Sequence, residues 1–114
     1  MPDCIFCKII AGQIAAKLVY QDEHVTAFYD INPVAPVHLL IVPNRHIESL
    51  AALTAYDAEA IGSLLAAAEP IARLTGVAAS GYRVVFNVGR DAGIAVYHLH
   101  AHLLGGRKLS WPPG

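Results

Sequence analysis

The stretch 37–42 (VHLLIV) is apolar on both faces of an extended chain except at His38, and Pro43 stops it. A strand covered on both sides by other structure reads this way, so it is predicted to be the central strand of a sheet. Around it, 18–21 and 24–29 form two β-branched and aromatic runs joined by a tight turn at Asp22-Glu23. Residues 30–36 carry an Asn-Pro step and a second proline, which make a loop. Residues 82–87, entered through Ser80-Gly81, give a fourth strand, and a fifth is predicted over 95–104, where apolar residues alternate with histidine. Ala58, Ile61, Leu64, Leu65, Ala68, Ile71, Ala72 and Thr75 recur instead at helical spacing. Thr54 opens that segment with Asp57 three residues on as an approximate capping box, and Gly76 stops it. Pro70 lies inside the helix and is predicted to kink or break it. Residues 4–11 make a short N-terminal helix ended by Gly12. These elements predict a single α+β domain over 1–114, a five-stranded antiparallel sheet with the long helix across one face.

The fifth strand carries the chemistry. Side chains alternate along a strand, so His98, His100 and His102 are predicted to project to one face while Leu99, Ala101 and Leu103 point to the core. Neighbours in such a row lie roughly 6–7 Å apart. A single tetrahedral zinc cannot take all three, because the row spans some 13 Å against metal–ligand bonds near 2 Å. Nucleophilic catalysis uses the row better: a neutral imidazole has a free nitrogen able to attack phosphorus, and its neighbours can orient it and serve the leaving group. Mere decoration of an exposed strand explains one histidine more readily than three beside a glycine-bounded loop. That loop, Gly89 to Gly93, is read as an anion-binding nest, with Asn87 adding a donor.

The chain has 114 residues, 55% of them hydrophobic, and a net charge of −1. That balance excludes nucleic acid or an anionic membrane as the main partner. The apolar fraction is high for so small a chain and points to a homodimer that covers part of it. No apolar run approaches the roughly 20 residues of a membrane span, and the N-terminal stretch lacks a signal-peptide pattern, so a cytoplasmic location is expected. Cys4 and Cys7 form a C-x-x-C pair, readable as a metal half-site, a redox pair or two incidental thiols. Metal is favoured over redox, because a thioredoxin-like motif belongs after a strand of a βαβ unit.

The segment His98-Leu99-His100-Ala101-His102-Leu103-Leu104 matches the H-φ-H-φ-H-φ-φ motif and resembles the histidine triad (HIT) superfamily of nucleotide hydrolases and transferases. Ile5-Phe6 with Lys8-Ile9-Ile10, Ala27 to Ile31, Ala35-Pro36-Val37-His38, and Gly105-Gly106-Arg107 with Trp111-Pro112-Pro113-Gly114 are similar to its Hint-like branch. The resemblance implies the HIT fold, assembled as a homodimer with a continuous ten-stranded sheet. It also implies hydrolysis of purine nucleoside phosphoramidates and aminoacyl-adenylates, derivatives of AMP or GMP, through a nucleotidyl-histidine intermediate that needs no catalytic cofactor.

By position, the resemblance makes His100 the nucleophile, sets His102 against the phosphate or leaving group, and gives His98 and His38 supporting places. It assigns the ribose hydroxyls to Asp30, the base pocket to Phe28 and Ile31, and the nucleotide's phosphate side to Asn87, Gly93 and Ala95. Taken alone, Asp30 reads as a turn residue ahead of Asn32-Pro33. Bacterial relatives with C-x-x-C imply a structural zinc held by Cys4, Cys7, His46 and His98, a Cys₂His₂ set of the kind zinc prefers.

One departure stands out. The family writes Gly-Gln-Ser/Thr-Val ahead of the triad, and this chain has Gly93-Ile94-Ala95-Val96. A hydrogen bond to a charged group, lost from the transition state, costs about 1.5–3 kcal/mol, or roughly tenfold to a hundredfold in rate. Two other readings accompany the leading one: a nucleotide-binding or zinc-stabilised interaction module with weak turnover, and a hydrolase of dinucleoside polyphosphates, against which the Trp-Pro-Pro-Gly end argues.

Overall fold

A computed structural model describes residues 3–114. The elements follow in the order α1 (Ile5–Ile10), β1 (Leu18–Gln21), β2 (Val25–Tyr29), β3 (Val37–Pro43), α2 (Ala58–Leu74), β4 (Tyr82–Phe86) and β5 (Ala101–Gly105), with single 3₁₀ turns at Leu50–Ala52, Ala55–Asp57 and Arg90–Ala92. The strands form one antiparallel sheet in the order β1-β2-β3-β5-β4, so the apolar run at 37–42 is central as its composition predicts.

Strand parity sorts the side chains into two cores. Val25, Ala27, Leu39, Ile41, Ala101 and Leu103 face α2 and pack on its buried Leu64, Ala67, Ala68, Ile71 and Ala72. Phe28, Leu40 and Val42 face the other way and pack on Phe6 and Ile9 of α1. The even-numbered residues of β3 and β5 share that second face, which puts His38 and His102 there. The sheet thus has a structural side under α2 and a site side under α1.

α2 is entered through the predicted capping box: the Thr54 N–H donates to Asp57 Oδ2 at 2.9 Å, and the Thr54 hydroxyl accepts from the Tyr56 N–H. The backbone N–H of Thr54 and the Arg45 guanidinium beside it hold the Asp57 carboxyl below its usual range. Two expectations need correction. The helix runs unbroken through Pro70. The carbonyl that proline leaves without a partner belongs to Ala66, an exposed residue, so no buried polar group is orphaned.

The fifth strand does not begin at 95 either. It begins at Ala101, so His98 and His100 precede the sheet and only His102 lies in it. Extending the β3–β5 register past Ile41↔Ala101 would set Leu99 opposite Pro43, which has no N–H to give. The Pro43 carbonyl instead meets the His98 ring at 2.9 Å, and the Leu99 N–H donates to the Ile47 carbonyl at 2.6 Å. Leu99 is still buried, as expected, but outside the α2 core.

Candidate functional site

Four imidazoles meet on the α1 side of the sheet. His38 and His102 sit on neighbouring strands with ring centroids 5.2 Å apart, and His100 lies 5.2 Å from His102. The edge of Phe6 covers His100 at 5.2 Å and His98 at 5.9 Å.

Backbone partners fix where each proton sits, because a backbone N–H can only donate and a carbonyl can only accept. The Val34 N–H donates to His38 Nδ1 at 3.1 Å, so the His38 proton is on Nε2. That Nε2–H donates to His102 Nδ1 at 2.9 Å, with Asp30 Oδ2 3.5 Å from the same nitrogen. His102 is therefore an acceptor at Nδ1 and carries its own proton on Nε2. Burial pushes the His102 pKa below its ordinary 6.5, with His100 and His38 acting the same way and Asp30 opposing. At His100 the polarity reverses. Its Nδ1–H donates to the His98 carbonyl at 2.7 Å, which leaves a bare lone pair on Nε2 of the neutral ring. The result is one ring presenting a nucleophile beside another presenting a donor.

Asp30 does two things. Oδ1 accepts from the Asn32 N–H at 2.8 Å, the turn role its sequence neighbours suggest, while Oδ2 turns toward His38. A cavity of about 320 Å³ opens beside it. Phe28 and Ile31 line this cavity, together with Ile5, Phe6, Ile9 and Leu40. The sequence assigns none of the last four to a base pocket. Leu40 shares strand parity with His38 and was within reach of that argument, whereas nothing in a six-residue helix says which face of a sheet it will cover.

The upstream residues behave differently. In the Gly89 to Gly93 loop, the Gly93 N–H donates to the Arg90 carbonyl at 3.0 Å and the Ile94 N–H to the Gly89 carbonyl at 3.3 Å, so these two donors are used inside the turn. Gly89 and Gly93 serve that turn through backbone angles near φ +82° and +81°, which other residues rarely adopt. Asn87 is half-buried just past β4, and it makes no hydrogen bond to the four imidazoles among the described residues. Ala95 is exposed and lines a different cleft, with Cys4, His46 and Tyr97.

A second cluster adjoins the first. One ligand atom each from Cys4, Cys7, His46 and His98 falls within 4.8 Å of all the others. Cys4 Sγ lies 3.3 Å from His98 Nδ1, and Cys7 Sγ lies 3.4 Å from His46 Nδ1 and 3.5 Å from His98 Nδ1. Sulfur and nitrogen ligands of one tetrahedral zinc stand roughly 3.5 Å apart, given bonds of about 2.3 and 2.0 Å. The donor chemistry fits as well. His98 Nε2–H donates to the Pro43 carbonyl, so Nδ1 offers its lone pair toward the sulfurs, the orientation that an outer hydrogen bond gives a metal-binding histidine. Burial, the larger cause, and the adjacent Cys4 push the Cys7 thiol up, which a cation between the sulfurs would reverse. The same test rejects a metal at Asp30, His38 and His102, although these also lie close together. His38 Nε2 keeps its proton there because Nδ1 is already an acceptor.

Comparison with known proteins agrees with this geometry. A family model described as HIT domain matches residues 11–109. An uncharacterized HIT-like protein of Synechococcus elongatus is 48% identical over 112 residues, 98% of this chain and 97% of that protein. The purine nucleoside phosphoramidase of Escherichia coli K12 is 47% identical over 107 residues, 94% of this chain and 90% of that enzyme. A HIT family hydrolase from Legionella pneumophila superposes with a TM-score of 0.95 at 46% identity, covering 98% of this chain and all 100% of that one. Fold and imidazole cluster together define a histidine triad hydrolase. The chain belongs to the HIT domain family. No helix among its described residues is long and apolar enough to cross a membrane.

Proposed function

We propose that this hydrolase cleaves purine nucleoside 5′-phosphoramidates or aminoacyl-adenylates to the nucleoside monophosphate, through a covalent nucleotide on His100. The observation that carries the reading is the hydrogen bond from His100 Nδ1 to the His98 carbonyl, which bares Nε2 for attack on phosphorus. Attack forms the P–Nε2 bond and breaks the bond from phosphorus to the leaving amine or carboxylate. His102 Nε2–H lies beside that group, and the proton an amine needs to depart passes to it from solvent through this nitrogen. Water then attacks phosphorus, the P–Nε2 bond breaks, and the water's proton returns to solvent, leaving His100 as it began. His38 keeps His102 in the required tautomer. Asp30 Oδ2 at the cavity mouth suits two ribose hydroxyls, and the apolar walls at Phe28, Ile31 and Leu40 suit a purine.

The Cys₂His₂ cluster is proposed to hold a structural zinc, which when bound supplies a cross-link between α1 and the two chain segments that carry His46 and His98. A homodimer with a ten-stranded sheet is supported by β4, an edge strand with all five residues partly exposed and no partner on its outer side among the described residues. A cytoplasmic setting agrees with free thiols at Cys4 and Cys7. Ile94 and Ala95 favour a second reading, a nucleotide-binding protein with little turnover, since neither side chain offers a donor to the phosphate. The two part in one assay: the purified protein is expected to release AMP from an adenosine 5′-phosphoramidate, and AMP binding without that release would replace the first reading with the second.

A further inference from the structure

We infer that α1 is a wall of the nucleotide cavity held in place by the metal, so that metal at the Cys₂His₂ cluster and nucleotide in the cavity strengthen each other's binding. This rests on the readings of both sites given above and adds a coupling between them. α1 is six residues long, too short to persist as a helix without outside support. Its own bonds are local, and the cap at its start is Cys4 Sγ, which accepts from the Cys7 N–H at 3.3 Å. Among the described residues, the polar contacts from 4–11 to anything beyond the adjoining turn at 12–14 are Cys4 to His98, Cys7 to His46 and Cys7 to His98, all within the metal cluster. Apolar anchorage comes from Phe6 and Ile9, both buried against Phe28, Leu40 and Val42.

The same helix supplies Ile5, Phe6 and Ile9 to the lining of the cavity, beside Phe28 and Leu40 on which Phe6 and Ile9 pack. Phe6 sits where the two sites meet, edge-on to Phe28 at 5.5 Å, to His98 at 5.9 Å and to His100 at 5.2 Å. Without the metal, α1 loses its polar tether and the cavity spends part of its time without that wall. A base stacked in the cavity holds the wall from the other side and preorganises the two sulfurs. Coupling of this kind is reciprocal: metal and nucleotide change each other's affinity by one factor, typically about fivefold or more.

The test uses zinc ion and AMP with the full chain. Calorimetry on zinc-loaded and chelator-stripped protein is expected to show AMP binding about fivefold or more tighter when zinc is present, and zinc tightening by the same factor under saturating AMP. Amide exchange over residues 4–11 is expected to slow with either ligand alone. In Phe6→Ala, zinc still binds and the difference in AMP affinity falls below about twofold. Zinc bound with AMP affinity and α1 exchange unchanged would overturn the coupling alone and leave the metal site standing. Failure of zinc to bind would overturn the metal reading and the coupling together, and failure of AMP to bind would overturn the nucleotide reading and the coupling together.

Discussion

The Nδ1 of His100 lies 2.7 Å from the carbonyl oxygen of His98, and this one contact decides which nitrogen of His100 is free to react. Because a carbonyl only accepts, the proton is held on Nδ1 and the lone pair is left on Nε2. His98 can present that carbonyl because it stands just before the sheet begins. Inside a strand the same group would be spent on a ladder hydrogen bond.

Replacing His100 with alanine is expected to reduce phosphoramidate hydrolysis to the uncatalysed level while leaving the fold intact. The ring is half-exposed and belongs to neither apolar core, so little packing is lost. Steady-state assay beside circular dichroism checks both halves of the statement.

His102 predicts a pH dependence with a definite sign. Its pKa in the fold lies below 6.5, chiefly through burial, so the unfolded chain binds a proton more readily. Stability from this group is fully present above pH 6.5 and is lost as pH falls through the window between 6.5 and the lowered folded value. Chemical denaturation across that window is expected to show stability falling with acidification, with a shallower slope in His102→Gln. The rate of hydrolysis should decline over the lower part of the same window, because a doubly protonated ring can no longer accept from His38.

Asp30→Asn is expected to weaken nucleotide binding by roughly tenfold to a hundredfold, the scale of a lost hydrogen bond to a charged group. The Asn32 turn survives, since an amide oxygen still accepts from that N–H. Comparing AMP with its 2′,3′-dideoxy form checks the assignment: wild type should distinguish the two and the variant should not.

The pair Ile94→Gln with Ala95→Ser restores the polar groups that the family places there, and is expected to raise kcat about tenfold or more. An unchanged rate would show that this loop does not reach the phosphate. The turn at Gly93 makes that outcome informative, since the Gly93 and Ile94 N–H groups are already in use.

Parity made much of the fold legible in advance. Alternation in 37–42 put His38 opposite Leu39 and Ile41, and the helical spacing of Leu64, Ala68 and Ile71 identified the face of α2 that meets the core. The helix runs through Pro70 with the orphaned carbonyl at Ala66, an exposed residue, a property of position rather than of residue type. The late start of the histidine strand came from Pro43, a residue on a different strand. Sequence placed the four imidazoles in one set, yet their proton arrangement depends on the Val34 N–H and the carbonyls of Pro43 and His98. Backbone groups carry no residue identity, so nothing in the string of letters announces them. Phe6 and Ile9 stand among the residues that carry the family resemblance, and only the fold shows that they wall the cavity.

The central claim is that His100 attacks phosphorus through a bare Nε2. Quenching the enzyme in acid-free denaturant during turnover of an adenosine 5′-phosphoramidate, then mapping added mass by peptide fragmentation, tests it most directly. The account predicts a single adenylyl group on His100, absent from His100→Ala. Turnover with no adduct on any residue, or an adduct on His98 or His102, would contradict it.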